Sequence, residues 1–426
     1  MERRTTWETS KKRLSARSRR RPEETVLYRL VYQYRDELEW CWEERFQPEY
    51  GALRDEVLAA FDAYLNCGIL LHGCARAECE KCSHSELIAF SCKRRNLCPS
   101  CDAKRALIFG EHLHESVLLP HEHSHQVFTI PKRLRPYFKF NRKLLSKLYT
   151  SAKLAWNDLI EDAFPSDWST GSVMALHTAG DLLNFHPHIH SLGLHGAVDP
   201  DGIFHLLDSV DAAYLTRQFA EYVFDALLEA ELLEQETIAA MKCWEHSGFN
   251  VFVGEPVTAH DSDARRFLAR YLKKSPVMNP RLELIESNRE PIIRVHKVTD
   301  DGSQARDFEP LSLLAELSQH IPNMWEQTTR YVGCYSARTR GAKRLQLDFP
   351  GPLPEIDPPE HPSTYWAASM KRVFEIDPLE CPKCGATMKI KAFMQEQSEI
   401  ERLCENIGEV PWRAPPSIKL PLAHAA

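Results

Sequence analysis

Between Asn184 and His195 the chain reads Asn184-Phe-His-Pro-His-Ile-His-Ser-Leu-Gly-Leu-His195. That spacing leaves little choice of backbone. His186, His188 and His190 fall two apart, so they share one face only if the segment is an extended strand. Phe185, Ile189, Leu192 and Leu194 supply the apolar filling of a strand in a buried sheet. Two imidazoles one pleat apart can chelate a single divalent ion, which makes His188 and His190 candidate ligands. His177 lies at the end of a second predicted strand over residues 172–177 and can complete a three-histidine site where the strands pair; His186 competes for that place. His121, His123 and His125 also alternate, but beside Pro120 they read as a surface or supporting cluster. Asp181 reads as a weaker supporting group.

At 426 residues the chain exceeds one ordinary core, so two or three units are expected. A hydrophobic fraction of 43% and a charged fraction of 27% describe a soluble globular protein. No apolar run approaches the roughly 20 residues that span a bilayer. The start, Met1-Glu-Arg-Arg-Thr-Thr-Trp7, lacks the apolar core of a secretion signal, so the expected location is the cytoplasm, with no membrane partner. Thirteen cysteines in such a chain read as metal ligands or core thiols rather than disulfides.

The net charge of -7 argues on its face against a nucleic-acid partner, but the way the charge is distributed argues for one. Residues 132–147 carry Lys132, Arg133, Arg135, Lys139, Arg142, Lys143 and Lys147 with no acid among them. Residues 265–281 carry Arg265, Arg266, Arg270, Lys273, Lys274 and Arg281, again with none. Local positive surface is what meets phosphate.

Hydrophobic spacing predicts helices within 24–66, a strand over 124–130, a helix over 141–162 and the two histidine-bearing strands. The turn Asp199-Pro-Asp-Gly202 should return residues 203–207 antiparallel to the histidine strand; two helices over 211–242 and a strand over 249–253 follow. Strands interspersed with helices and one hairpin imply an α+β fold built on an antiparallel sheet. The expected organisation is a basic tail (1–22), a helical and zinc-ribbon DNA-binding domain (23–110), a catalytic domain (120–345), a Pro-rich linker (346–362) and a small C-terminal unit (363–426).

Cys79-Glu-Lys-Cys82 is followed after fifteen residues by Cys98-Pro-Ser-Cys101. Two CxxC knuckles at that distance read as a four-thiolate zinc ribbon, a closed site with a structural role. Cys67, Cys74 and Cys92 read as core, and His84 as a spare ligand. Lys93, Arg94 and Arg95 between the knuckles suit DNA contact, as do Lys132, Arg133, Arg135 and Arg270. Cys381-Pro-Lys-Cys384 forms half a site, with Cys404 and His361 as completions or as a lost knuckle.

Residues 263–274 are good helix formers that Asp261, Ser262 or Asp263 can cap, and Tyr271 stands there among cations. A cationic surround favours the nucleophilic phenolate and holds phosphate close. Tyr331 and Tyr335 have basic company of their own and are rivals.

The chain resembles the rolling-circle insertion-sequence transposases, HUH enzymes with an N-terminal zinc-binding domain. The likeness runs from about residue 25 to 395. It is carried by the double CxxC with Ala89-Phe-Ser-Cys-Lys-Arg-Arg95, by Ile130-Pro-Lys-Arg-Leu-Arg135, and by Gly180-Asp-Leu-Leu-Asn-Phe-His-Pro-His-Ile-His190. Tyr271-Leu-Lys-Lys274, Gln319-His-Ile-Pro322, Tyr335-Ser-Ala-Arg-Thr-Arg-Gly341 and Phe374-Glu-Ile-Asp-Pro-Leu-Glu-Cys-Pro-Lys-Cys-Gly385 continue it. The resemblance implies that His188 and His190, with His177, hold Mg²⁺ or Mn²⁺, and that Tyr271 is the nucleophile. It implies that Tyr271 cuts single-stranded DNA at element ends and target through a 5′-phosphotyrosine, with Lys273 and Lys274 neutralising phosphate charge. Many members carry a second tyrosine four residues earlier, where this chain has Phe267. It thus resembles the single-tyrosine branch, in which a second cleavage reuses Tyr271 or draws on the second subunit of a homodimer. Rival readings are a replication or conjugation nickase, a non-catalytic zinc-dependent DNA-binding regulator, and a zinc hydrolase, which lacks an evident carboxylate ligand.

Overall fold

The histidine strand forms and pairs on both sides, and the larger of two units is arranged around it. The computed structural model describes residues 22–285, 291–297, 304–346 and 379–412. The tail over 1–21, most of the Pro-rich segment and His361 lie outside these residues. In chain order the helices are α1 (Val26–Arg45), α2 (Gln47–Tyr50), α3 (Asp55–Leu65), α4 (Pro99–Ser116), α5 (Arg135–Phe140), α6 (Leu145–Ala163), α7 (Ala212–Glu229), α8 (Gln235–Lys242), α9 (Ser262–Tyr271), α10 (Pro310–Ser318), α11 (Ala337–Gln346) and α12 (Gln397–Ile407). The strands are β1 (Cys74–Cys79), β2 (Ser85–Ala89), β3 (His123–Thr129), β4 (Gly171–Ala179), β5 (Phe185–Leu194), β6 (Gly196–Val198), β7 (Phe204–Leu206), β8 (Asn250–Val253), β9 (Leu282–Ile285), β10 (Ile292–His296), β11 (Ala305–Phe308), β12 (Thr329–Gly333) and β13 (Met388–Met394).

Two compact units emerge. Residues 34–66 and 91–346 form the larger. Its centre is a five-stranded sheet in the order β12-β4-β5-β3-β8, antiparallel throughout. Period-two alternation sends Met174, Leu176, Phe185 and Ile189 to one face, where they pack with Trp156 and Leu148 of α6 and Phe219 and Val223 of α7. Val173, Ala175 and Leu192 go to the other face, against Leu113 of α4 and Ala269 of α9. Each of the large side chains contributes about 1.5–3 kcal/mol when fully buried, so the sheet is anchored on both sides. The histidines lie on the face that α4 and α9 cover. An α+β fold with an antiparallel sheet is what the pattern predicted.

Residues 203–207 depart from expectation. They fold back as β7, but onto β6 rather than onto β5, because β5 is already paired by β3 and β4 on both edges.

The smaller unit comprises residues 22–33, 67–90 and 379–412. Its sheet has the order β13-β1-β2, with Cys79 opposite Met388. The expected domain over 23–110 is therefore not kept in one unit. A two-stranded hairpin such as β1–β2 is marginal in water, and β13 supplies the third strand it lacks. Leu70, Cys74, Met394, Ile400 and Cys404 form a small core beside it, so Cys74 and Cys404 are buried thiols of that core.

Candidate metal centre and nucleophile

Register brings the imidazoles together. His177 of β4 stands directly opposite His188 of β5, and His190 opposite Ala175. Cross-strand partners project to the same face, so three rings meet where sequence separates them by eleven and two residues. One nitrogen of each of His177, His188 and His190 lies within 4.8 Å of the others. The His177–His190 ring centroids are 4.3 Å apart.

The hydrogen bonds around the cluster fix which nitrogens face inward. His188 Nδ1 donates to the His186 carbonyl at 2.7 Å, and His177 Nε2 donates to the Leu272 carbonyl at 3.2 Å. A carbonyl can only accept, so each neutral ring has spent its N–H outward and keeps a lone pair on its other nitrogen. His190 Nδ1 lies 2.9 Å from His125 Nε2, which leaves its Nε2 3.0 Å from His188 Nε2. Two neutral nitrogens at that distance must share a proton or a cation. Outward N–H bonds with inward lone pairs are the arrangement of metal-ligating histidines. Burial pushes the imidazoles of His188 and His190 down, and brings that of His177 to about 3, so all three are neutral near pH 7. The donor set therefore fits a divalent ion.

His186 takes another role. Its carbonyl orients His188, and its own Nε2 is buried without a partner among the described residues. The reading of His121, His123 and His125 as a surface or supporting cluster needs correction in part. His123 is fully buried in β3, its Nε2 2.6 Å from the Tyr335 hydroxyl, whereas His125 supports His190 from behind. The cause is strand β3, which starts at His123 and turns these side chains into the sheet.

Helix α9 delivers the tyrosine. The Asp261 side chain caps it by accepting from Ala264 N–H at 2.9 Å. Arg266 and Arg270 bind the same buried carboxylate, Glu111 of α4, at 3.2 and 2.6 Å. The helices cross closely at Gly110, where a Cβ would stand 2.5 Å from Arg270 Cγ. These contacts, which sequence reading missed, set the height of α9 above the sheet. Tyr271 at its end stands edge-on to His190, with centroids 5.2 Å apart, and to His125 at 5.5 Å. Phe267, one turn earlier, is 57% exposed, with its ring 6.3 Å from that of Tyr271. A cleft lined by Tyr271, His177, His188, His190, Lys273 and Lys274 opens here.

The two lysines differ. Lys274 is exposed, its Nζ 5.1 Å from the Tyr271 ring centre. Lys273 is half-buried, donates to Thr329 Oγ1, and has its ammonium pushed down to about 8 by desolvation and by the neighbouring Arg105 and Arg95. Asp181 lines the cleft and pairs with Lys297 at 3.6 Å. The rival tyrosines stand elsewhere. Tyr335 is 1% exposed, tied to His123 and to Leu119 N–H, its hydroxyl pushed well up by burial. Tyr331 of β12 packs against the α4–α9 side of the core, with Arg340 over its ring at 5.3 Å.

The candidate DNA contacts divide likewise. Lys93, Arg94, Lys132 and Arg133 are exposed. Arg95 is held by the carbonyls of Glu326 and Asn323, Arg270 by Glu111, and Arg135 is half-buried.

The cysteines do not form the expected ribbon of Cys79, Cys82, Cys98 and Cys101. Cys98 and Cys101 gather with Cys92, whose Sγ is 3.5 Å from that of Cys101, while Cys79 and Cys82 gather with Cys381 and Cys384. Cys92 is thus no core residue, and Cys381 and Cys384 no lost knuckle. His84 is engaged by Glu86 at 3.3 Å and takes no part. The strand pairing of β1 with β13 makes the difference.

The chain is similar to known transposases. A family model described as "Putative transposase" matches residues 171–343, and one described as "Transposase zinc-binding domain" matches residues 38–130. The first spans His177, His188, His190 and Tyr271; the second spans His125 and the first two CxxC pairs; neither reaches Cys381. The "Transposase for insertion sequence element IS801" of Pseudomonas savastanoi pv. phaseolicola is 30% identical over 372 residues, covering 82% of this chain and 86% of that protein. The "Putative transposase y4qJ" of Sinorhizobium fredii is 22% identical over 343 residues, covering 74% and 84%. No solved structure matches the chain.

Proposed function

Because this chain belongs to the IS91/IS801 family of rolling-circle insertion-sequence transposases, we propose that it nicks and rejoins single-stranded DNA at element ends through a 5′-phosphotyrosine on Tyr271. The observation that supports this most is the meeting of a phenol and three neutral imidazoles in one cleft.

The chemistry follows from the groups present. Tyr271 Oη attacks the scissile phosphorus; a P–O bond forms to tyrosine and the bond to the 3′-oxygen breaks. The phenolic proton is given up and one is taken by the departing oxygen, so a free 3′-hydroxyl remains. The phosphodiester energy stays in the covalent link, and the reverse attack by a 3′-hydroxyl rejoins DNA without ATP. His177, His188 and His190 would hold Mg²⁺ or Mn²⁺, which supplies charge to the phosphate. An all-nitrogen set suits Mn²⁺ better than the oxygen-seeking Mg²⁺. Lys274, exposed beside Tyr271, pairs with phosphate oxygens, and Lys273 lends positive potential from beneath. Exposed Lys93, Arg94, Lys132 and Arg133 bind the flanking backbone. With Phe267 one turn from Tyr271, a second cleavage reuses Tyr271 or uses the tyrosine of a second subunit. Among the described residues no helix is long and apolar enough to cross a membrane.

Incubation with labelled single-stranded DNA from the ends of the protein's own element and Mn²⁺ tests the reading. A covalent adduct that disappears in Tyr271→Phe is expected. An adduct that survives Tyr271→Phe and disappears in Tyr331→Phe would assign the nucleophile to the other tyrosine. No adduct with any metal would leave a DNA-binding regulator.

A further inference from the structure

We infer that Cys79, Cys82, Cys381 and Cys384 bind one Zn²⁺, in a closed site whose two halves come from opposite ends of the sequence. This inference stands apart from the cleavage reading.

The four sulfurs lie within 4.8 Å of one another, with Cys79 Sγ–Cys384 Sγ and Cys82 Sγ–Cys381 Sγ both 3.5 Å. A disulfide would place a pair about 2.05 Å apart. A tetrahedral zinc with Zn–S of about 2.3 Å places its sulfurs roughly 3.8 Å apart, close to what is seen. The backbone shows the same preparation on both sides. Cys79 N–H donates to the His84 carbonyl and Ser83 N–H to the Cys79 carbonyl, each at 2.8 Å. Cys381 N–H donates to the Ala386 carbonyl at 2.7 Å and Gly385 N–H to the Cys381 carbonyl at 2.8 Å. The residue after the second cysteine is left-handed in each, Ser83 at φ 56° and Gly385 at φ 69°. Two CxxC segments some three hundred residues apart thus fold as the same knuckle and face each other. Around them pack Ala77, Leu379 and Met388, an apolar shell that keeps water off a thiolate site.

Four soft donors and no open position suit a structural ion. Zinc is chosen over iron because Cys79 and Cys82 lie within the segment matched by the zinc-binding domain. The matched segments end at residues 130 and 343, so the second half of this site lies beyond both. Residues 379–394 are then an integral half of the zinc module rather than an appendage.

The test is metal content of the full chain. Cys381→Ser with Cys384→Ser should lower bound zinc by one equivalent; unchanged zinc overturns the proposal. Cys404→Ser, a buried thiol of the same unit that is not a ligand, should keep full zinc; a loss equal to that of the double variant would show unfolding rather than ligation, and overturns it too. In the Co²⁺-loaded protein, Cys381→His should weaken the thiolate charge-transfer band by about one quarter of one site's intensity. A spectrum identical to wild type contradicts the assignment.

Discussion

The histidine cluster and the thiolate cluster of Cys79, Cys82, Cys381 and Cys384 solve opposite problems. The first takes its donors from two neighbouring strands and opens onto a cleft lined by Tyr271 and two lysines. The second takes its donors from segments far apart in sequence that the pairing of β1 with β13 brings together, and its four sulfurs leave no place for a substrate. An open nitrogen site can exchange its ion and admit phosphate; a closed sulfur site can only hold chain segments together. Under these proposals, reactivity and architecture fall to different donors.

The sharpest way to break that division is to remove the open site. His188→Ala with His190→Ala should cut nicking by about 10³-fold or more, a loss of roughly 4 kcal/mol of transition-state stabilisation, with zinc content unchanged. Nicking within tenfold of wild type would remove the histidines from the chemistry. Dialysis against EDTA should bring activity to background, restored by Mn²⁺, while thiolate-held zinc stays until a thiol reagent is added. Zinc and activity lost together, and regained only with zinc, would merge the two roles. A smaller effect is expected one layer out. His125→Ala removes the partner of His190 Nδ1 and should weaken metal binding about 10–100-fold, read by Mn²⁺ titration. Unaltered affinity would mean that His125 merely packs.

Acid should weaken the larger unit through a histidine outside both clusters. His320, fully buried between Thr178 and the Leu183 carbonyl, has its imidazole pushed down to about 4 by burial. Its folded value is below the unfolded one of about 6.5, so the unfolded chain takes up the proton first as pH falls. The stability it contributes is full above about pH 6.5 and is lost by about pH 4, on the order of 3 kcal/mol. His320→Gln should flatten that part of the urea-denaturation profile; an unchanged slope would assign the loss to other groups. Least affected should be Tyr335→Phe. It breaks the bond to His123 and costs about 1 kcal/mol of stability while nicking stays at the wild-type level. A large loss of nicking there would move attention from Tyr271 to Tyr335.

What the sequence disclosed follows the same division. Period-two histidines and the Asp261 cap are local signals: β5 formed where spacing placed it, and α9 starts at that cap but ends at Tyr271, short of the expected Lys274. The pairing of His177 with His188 needed only that adjacent strands be neighbours. Three things were not local. The registry of β1 with β13 spans some three hundred residues, so the CxxC pairs could not be matched from spacing alone. β5 was paired on both edges, so the 203–207 strand had to find β6. Charge runs hid their partners, because Glu111 lies far in sequence from the Arg266 and Arg270 it binds. Gly110 carried no signal at all until a helix lay across it.

Tyr271, poised 5.2 Å from His190 between ring centres, is the residue that should become joined to DNA. Mass spectrometry of the trapped adduct after trypsin and nuclease digestion reads this directly. The expected product is a 5′-phosphonucleotide on the peptide Tyr271–Lys273, released by cleavage after Arg270. The same nucleotide on the peptide Tyr331–Arg338, with Tyr271 unmodified, would contradict it.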